Sequence, residues 1–197
     1  MLKLNRLLFA TSETDVFIDR LAPTPHQRET LVQAKNDIRD HLRPRIRAAT
    51  VAVLGMDKAV DPKFRTQGSW SYRTCIQPAW QPPQEMDWDF GVYLPVTVWE
   101  DNGPPHKMAK LYFTLVEKLL ADLCTDKGWE LITGKDTCIR IQINNWAHID
   151  IPLYAAPEEE FATILEKSFS AQLTLDSARG TLVENAAFGE IAEQEWA

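Results

Sequence analysis

Two stretches of the chain alternate between apolar and polar positions, which is the period of a strand with one buried face. The first covers residues 86–98, and the second covers residues 138–153 with one interruption at residues 144–147. Their apolar positions are Trp88, Phe90, Val92, Leu94, Ile139, Ile141, Ile143, Ile149, Ile151 and Leu153. Because the interruption contains two asparagines, we expect the second stretch to be a β-hairpin whose apolar face packs on helices.

Two other segments have the three- and four-residue spacing of amphipathic helices. The first begins at Thr24-Pro25, an N-cap followed by proline at the first helical position, and Pro44 either kinks it or lies near its end. The second ends at Gly128. The apolar positions are Leu31, Ala34, Ile38 and Leu42 in the first helix and Met108, Leu111, Tyr112, Leu115, Leu119 and Leu123 in the second. Short strands are expected at residues 64–67 and 129–133.

Aspartates occupy polar positions in both alternating stretches. Asp87 and Asp89 are two residues apart, so they project from the same side of a strand, roughly 6–7 Å apart at the backbone. Asp150 stands between two isoleucines. A carboxylate buried alone in such a strand is costly, and either solvent or a cation removes that cost. The pattern therefore predicts a divalent metal site with oxygen ligands, and the alternative is three exposed aspartates on an open sheet.

A glycine–serine pair, Gly68-Ser69, precedes the first two aspartates. Glycine lets the backbone approach a phosphate without an intervening side chain, and the Ser69 hydroxyl adds a hydrogen-bond donor. The dipeptide alone is common in proteins. Its combination with two aspartates on one strand and a third inside another apolar strand is a much more specific pattern. This combination favours a phosphate-containing substrate.

Four side chains near these motifs have two interpretations each. Arg140 shares a polar strand face with Asp150, so it is either a contact to a substrate phosphate or base, or a solvated strand arginine. His148 points the same way as Asp150, and we expect it to be structural or solvent-facing. Trp70 and Tyr72 stack on a base or belong to the core.

Composition limits the class of protein. The chain has 197 residues, of which 45% are hydrophobic and 25% are charged, as expected for one globular domain or slightly more. A net charge of -7 argues against a general nucleic-acid binder, but not against a nucleotide bound as a metal complex. Three scattered cysteines, no cleavable leader and no apolar run of membrane-spanning length predict a cytoplasmic protein with reduced thiols.

Three segments, QGSWSYRT, PPQEMDWDFGVYLP and HIDIPLYA, resemble a known active-site signature. Gln67-Gly68-Ser69, Asp87-Trp88-Asp89 and Ile149-Asp150-Ile151 are similar to the motifs of polymerase-β-type nucleotidyltransferases. More narrowly, the segments resemble the bacterial cGAS/DncV-like cyclic-dinucleotide synthases, especially the cyclic GMP–AMP synthases of anti-phage signalling. The resemblance covers roughly residues 24–170, and its three blocks occur in the family's order.

The resemblance implies an α+β fold with a polymerase-β-like nucleotidyltransferase core: a mixed, twisted sheet flanked by helices, with a long N-terminal helix. It divides the chain into a lead-in at residues 1–23, a catalytic core at 24–170 and an acidic segment at 171–197. A helical second lobe would start in that last segment. Since members of this branch resemble two-lobed proteins of nearly twice this size, most of that lobe is absent from this chain.

The resemblance also implies a function: metal-dependent synthesis of a cyclic di- or oligonucleotide messenger from ATP and GTP. Asp87, Asp89 and Asp150 would be the catalytic residues and would hold two Mg²⁺ ions, or Mn²⁺ in their place. Asp150 would act as a shared ligand or proton acceptor. The implied nucleotide-binding residues are Gln67, Gly68, Ser69, Trp70, Ser71, Tyr72 and Arg140.

Regulatory or effector proteins of an anti-phage operon are the implied partners, with no membrane partner and no strong case for nucleic acid. Two alternatives stay open at this point. The chain is a nucleotide-binding sensor or inactive nucleotidyltransferase lobe, or it transfers a single nucleotide to protein or RNA.

Overall fold

A computed structural model describes residues 20–80, 83–96, 105–135 and 137–157. The predicted lead-in up to residue 19 and the acidic segment at 171–197 lie outside the described residues. In chain order the elements are α1 (Pro25–Ala52), β1 (Lys63–Thr66), α2 (Gly68–Ser71), β2 (Met86–Val96), α3 (Pro105–Lys127), β3 (Glu130–Ile132), β4 (Cys138–Asn144) and β5 (Ala147–Pro157).

The five strands form one mixed sheet in the order β1-β2-β5-β4-β3. The central pair, β2 and β5, is parallel, whereas the other three neighbouring pairs are antiparallel. β4 and β5 form the predicted hairpin, whose turn lies at residues 145–146. The mixed sheet, together with the long helix that precedes it, confirms the predicted α+β fold.

Helix α1 begins at the predicted cap. The Thr24 hydroxyl accepts the backbone N–H of Gln27, whose side chain returns to the Thr24 N–H, so two orphan groups of the first turn are satisfied. The helix does not end at Pro44 but continues to Ala52. Pro44 lies on the exposed side, while the buried row is Leu31, Ala34, Ile38, Leu42, Ile46 and Thr50.

Helix α3 buries a stripe that is rotated from the predicted one. Tyr112 is buried as predicted, but Leu111 is 46% exposed, and Val116 and Leu120 are fully buried instead. The core-facing row therefore follows the four-residue spacing from Tyr112, which is the geometry of one helix ridge. Gly128 has a φ of +69° immediately after the helix, so it supplies the left-handed termination that the sequence predicted.

The sheet has one apolar and one polar face. Helices α1 and α3 form a continuous core with the alternating apolar strand positions, among them Trp88, Phe90, Ile139, Ile149 and Ile151. The polar strand positions lie on the opposite face, as the alternation predicted. No helix in the described part of the chain has the length and apolar character that a bilayer crossing requires.

Candidate active site

The register of the central strand pair brings the predicted carboxylates together. Asp89 on β2 lies beside Asp150 on β5, and Asp87 lies beside His148. Because residues in register on parallel neighbours point to the same side, all four side chains share the polar face. Asp87, His148 and Asp150 each offer a potential ligand atom within 4.8 Å of the others.

Asp150 is held by two cationic side chains. The Arg140 guanidinium donates hydrogen bonds from Nε to Asp150 Oδ1 and from Nη2 to Asp150 Oδ2, both at 2.6 Å. Lys135 Nζ lies 3.8 Å from Asp150 Oδ2. Burial by itself would raise the pKa of Asp150, but the hydrogen bonds and charge of Arg140 outweigh it and lower that pKa. Arg140 is thus not a solvated arginine, because its fork is bound to Asp150, and its contact with a nucleotide stays a prediction.

Asp89 packs against the glycine of the glycine–serine pair. Gly68 has a φ of +58°, and a Cβ added to it would lie 2.0 Å from Asp89 Oδ2. The backbone N–H of Gln67 also donates to the Asp89 carbonyl oxygen at 2.9 Å. Burial first, and then the negative charges of Asp87 and Asp150, raise the pKa of Asp89. Glycine is required at position 68 because it admits this carboxylate in a left-handed backbone conformation.

Asp87 faces a histidine that is itself bound to a third carboxylate. His148 Nε2 lies 3.2 Å from Asp87 Oδ1, and His148 Nδ1 lies 2.7 Å from Glu85 Oε2. His148 is only 7% exposed, so it is not solvent-facing. Burial lowers its pKa, but the carboxylates of Asp87 and Glu85 more than compensate, so that pKa is raised.

Sequence reasoning missed Glu85, although a signal was present. Glu85 lies two residues before Asp87, and His148 lies two residues before Asp150. The period of a strand places each on the same side as its aspartate. Glu85 was missed because it lies just before the predicted strand, which begins at residue 86, and directly after a segment with three prolines.

The side chains of Gln67 and Trp70 are occupied by protein contacts. Gln67 Nε2 donates to the Tyr93 hydroxyl at 2.6 Å, and the Tyr154 hydroxyl donates to Gln67 Oε1 at 3.4 Å. Trp70 Nε1 donates to the Asp87 carbonyl oxygen at 2.9 Å, and its ring stacks on Trp88 with centroids 4.2 Å apart. Gln67 therefore ties the residue before α2 to β2 and β5, and Trp70 ties α2 to the start of β2.

The other predicted nucleotide contacts are more accessible. Tyr72 is 51% exposed, Ser71 is also exposed, and Ser69 is half-buried. A cavity of about 560 Å³ lies beside α2, but none of the three aspartates lines it. Its lining includes Arg28, Phe64, Arg65, Trp70, Arg73 and Trp88. The carboxylates instead stand on the open polar face.

These residues fit a divalent cation. Two carboxylates and an imidazole bring ligand atoms within 4.8 Å of one another, which suits ions that accept oxygen and nitrogen ligands. Among the described residues, Asp87 Oδ1 is a buried oxygen with no hydrogen-bond partner. A cation would supply the partner that this oxygen lacks.

Comparisons with known proteins agree with the geometry. Residues 62–154 match the family model described as cyclic GMP-AMP synthase DncV-like, nucleotidyltransferase domain. A cyclic GMP-AMP synthase of Escherichia coli strain TW11681 is 40% identical over 116 residues, which are 58% of this chain and 26% of that protein. A cyclic GMP-AMP synthase of Vibrio cholerae serotype O1 is 36% identical over 126 residues, which are 63% of this chain and 27% of that protein.

Solved structures give the same result for the fold. The crystal structure of Vibrio cholerae DncV cyclic AMP-GMP synthase, a prokaryotic cGAS homologue, has a TM-score of 0.61 and 28% identity, and covers 80% of this chain and 52% of that one. The complex of the Vibrio di-nucleotide cyclase with GTP and 5MTHFGLU2 has a TM-score of 0.61 and 27% identity, and covers 86% and 53%. This chain thus spans about a quarter of the curated relatives' length and about half of the solved chains' length.

Proposed function

We propose that this chain carries the catalytic core of a metal-dependent nucleotidyltransferase, because its residues 62–154 match the model of the DncV-like nucleotidyltransferase domain. The product is a cyclic di- or oligonucleotide of the cyclic GMP–AMP type, made from ATP and GTP. One observation carries the proposal: Asp87 and Asp150 converge from two strands, and Asp89, which is in register with Asp150, packs against Gly68.

The three carboxylates have distinct tasks in this proposal. Asp87 and Asp89 hold two Mg²⁺ ions, or Mn²⁺ in their place, and Asp150 is a shared ligand or accepts the proton of the attacking ribose hydroxyl. When bound, the ions supply stabilisation of the leaving pyrophosphate and a lower pKa for that hydroxyl. The carboxylates contribute by fixing where the two reacting oxygens meet.

Substrate contacts follow from which side chains are accessible. Gly68 admits the Asp89 carboxylate, and Ser69, Ser71 and Tyr72 follow it along the chain as the proposed nucleotide contacts, with Ser71 and Tyr72 exposed and Ser69 half-buried. Arg140, whose fork holds Asp150, would contribute its positive charge to a phosphate bound at the same face. Gln67 and Trp70 act indirectly, through the protein contacts that hold α2.

The biological setting is proposed from the likeness to the family. The product would serve as a messenger in anti-phage signalling in the cytoplasm, together with regulatory or effector proteins of the same operon. Domain limits of 24–170 for the core, with a second lobe beginning in residues 171–197, belong to the same proposal.

A labelling assay tests the proposed reaction. The protein is incubated with labelled ATP and GTP and Mg²⁺, and the products are treated with phosphatase and identified by mass spectrometry. A phosphatase-resistant cyclic product that disappears on chelation of the metal is the expected result. Label that stays on protein or RNA instead would establish mononucleotide transfer and contradict cyclic synthesis.

A nucleotide sensor without turnover is the second candidate, and one observation favours it. Arg140 and Lys135 neutralise Asp150 by themselves, so this face accommodates the carboxylate without a cation. Calorimetry with a non-hydrolysable triphosphate separates the two functions. Binding that needs the metal supports the transferase, and equally tight binding in chelator supports the sensor.

A further inference from the structure

The polar face of β2 continues past the aspartates to a pair of tyrosines that the proposed reaction does not use. Asp89, Gly91 and Tyr93 lie on the same side of the strand, because each is two residues from the next. Tyr93 is in register with Tyr154 on β5, and the two rings stack with their centroids 4.5 Å apart. Tyr93 is buried and Tyr154 is half-buried. Both hydroxyls are thus carried by rings that the central strand pair holds in place.

Both tyrosine hydroxyls contact Gln67, the residue that immediately precedes α2. Gln67 Nε2 donates to the Tyr93 hydroxyl at 2.6 Å, and the Tyr154 hydroxyl donates to Gln67 Oε1 at 3.4 Å. The Gln67 side chain lies across Gly91, where an added Cβ would stand 3.0 Å from Gln67 Oε1. The backbone N–H of Gln67 donates to the Asp89 carbonyl oxygen. The backbone and the side chain of Gln67 are therefore both bound to β2.

The place of Gln67 determines the place of the glycine–serine pair that follows it. Gly68 is covalently next to Gln67 and packs so closely on Asp89 that an added Cβ would lie 2.0 Å from Asp89 Oδ2. The Ser69 carbonyl oxygen accepts the backbone N–H of Thr74 at 2.8 Å, so the segment after Gly68 is closed on itself. A shift of Gln67 along β2 would consequently move Gly68 and Ser69 as a unit relative to Asp89.

We propose that Tyr93 and Tyr154 are positioning residues that hold Gln67 and, through it, set the place of Gly68 and Ser69 relative to the catalytic carboxylates. This inference rests on the proposed nucleotidyltransferase function, in which the glycine–serine segment contacts the triphosphate, and it adds two tyrosines to that function. The tyrosines act through Gln67 without touching the substrate. Loss of one neutral hydrogen bond should make local opening of the segment about threefold to tenfold more frequent.

Amide hydrogen exchange measured by NMR tests the role without nucleotide, metal or turnover. Y93F removes one hydroxyl and keeps the stacked ring, so exchange at the Gln67 and Thr74 amides should accelerate by about threefold to tenfold. Amides of β4 should keep their rates. The matched control is Y112F, because Tyr112 is a buried tyrosine on α3 whose hydroxyl has no hydrogen-bond partner among the described residues. Y112F should leave exchange at Gln67 and Thr74 unchanged.

A double-mutant cycle tests whether Tyr93 acts through Gln67. Q67A removes both tyrosine contacts at once, so it should accelerate exchange at Thr74 at least as much as Y93F does. Adding Y93F to Q67A should change the rate no further. An additional acceleration in the double variant would show that Tyr93 acts by another route and would overturn the proposal.

Two other exchange results would also overturn it. One is an unchanged rate at Gln67 and Thr74 in Y93F. The other is an equal acceleration in β4, which would make the tyrosine pair a general stabilising contact. If Y93F does not fold, an unchanged Thr74 rate in Q67A overturns the proposal instead.

Product formation separates this inference from the function on which it rests. If the wild type makes a nucleotide product, Y93F should lower kcat/KM by about tenfold and Y112F should keep it. An unchanged kcat/KM in Y93F, despite faster exchange, would overturn the positioning role. If the wild type makes no product, the proposed synthesis fails, and the exchange rates alone decide whether the tyrosines hold the segment.

Discussion

The two faces of the β2–β5 pair are built from adjacent residues but have opposite physical tasks. On one face Trp88, Phe90, Ile149 and Ile151 are at most 5% exposed and pack under the helices. On the other face their chain neighbours include Asp87, Asp89, His148 and Asp150. The strand period alone assigns each residue to a face, so stability and chemistry are separated by a single step along the chain.

The polar face is electrostatically unfavourable by itself. Burial and like charges raise the pKa of Asp89, and Arg140, Lys135 and His148 supply the positive charge that partly offsets the three aspartates. Removing a carboxylate should therefore cost activity without unfolding the protein. Removing an apolar side chain from the opposite face should destabilise the protein without removing a group that the activity needs.

The largest expected effect comes from removing two carboxylates from the polar face. The D87A/D89A double variant removes charge stabilisation of several kcal/mol, so turnover should fall by about a thousandfold or more. Its melting temperature should stay within a few degrees of the wild type, because relief of repulsion offsets lost contacts. Product formation and thermal unfolding are measured on the same preparation. Residual turnover within tenfold of wild type would rule out the assigned carboxylates.

The apolar face should give the opposite result. Ile151 is fully buried next to Asp150, so I151A should lower the free energy of unfolding by about 2–5 kcal/mol in chemical denaturation. The fraction that remains folded should bind Mn²⁺ as the wild type does. A loss of metal affinity with unchanged stability would show that the faces are not separable in this way.

A substitution at Gly68 tests the contact between the proposed phosphate-binding segment and the polar face. G68A imposes a left-handed strain of about 1–2 kcal/mol and also places a Cβ 2.0 Å from Asp89 Oδ2. Because the carboxylate must move, turnover should fall by about a hundredfold. G128A is the matched control: Gly128 has a φ of +69° with no atom within 4 Å of an added Cβ. It should lose similar stability and keep full activity, and equal activity in both variants would exclude a role for the Gly68–Asp89 contact.

The smallest expected effect is a change in how the free energy of unfolding depends on pH, and it comes from His41 on α1. Burial, and then the positive charge of Arg45, lowers the pKa of His41, so the folded state favours the neutral ring. Below about pH 6.5 the unfolded chain takes up this proton first, and stability falls as the pH decreases. H41Q should flatten that part of the curve of unfolding free energy against pH. An unchanged slope would show that His41 does not contribute to it.

Most of the fold followed from periodicity in the sequence. Alternation at Ile139, Ile141, Ile149 and Ile151 predicted the hairpin, since only one face of that sheet could be buried. Helix α3 was predicted with the correct terminator but with a rotated stripe. Leu111 and Val116 lie on different sides of the helix, and only packing against the neighbouring elements decides which side is buried.

The site was less predictable because its partners depend on register across strands. The shared face of Asp87, Asp89 and Asp150 followed from the strand period together with the family resemblance. The pairing of Arg140 with Asp150 required the β4–β5 register, which a one-residue slip would have destroyed. Glu85 could not be linked to His148 until β2 and β5 were known to be parallel neighbours.

The most direct test of the central claim is anomalous diffraction from crystals grown with Mn²⁺ and non-hydrolysable GTP. The account predicts two manganese peaks between the carboxylates of Asp87, Asp89 and Asp150, about 3.5–4 Å apart, beside the triphosphate. Manganese bound elsewhere, or nucleotide bound with no peak at these three aspartates, would contradict it.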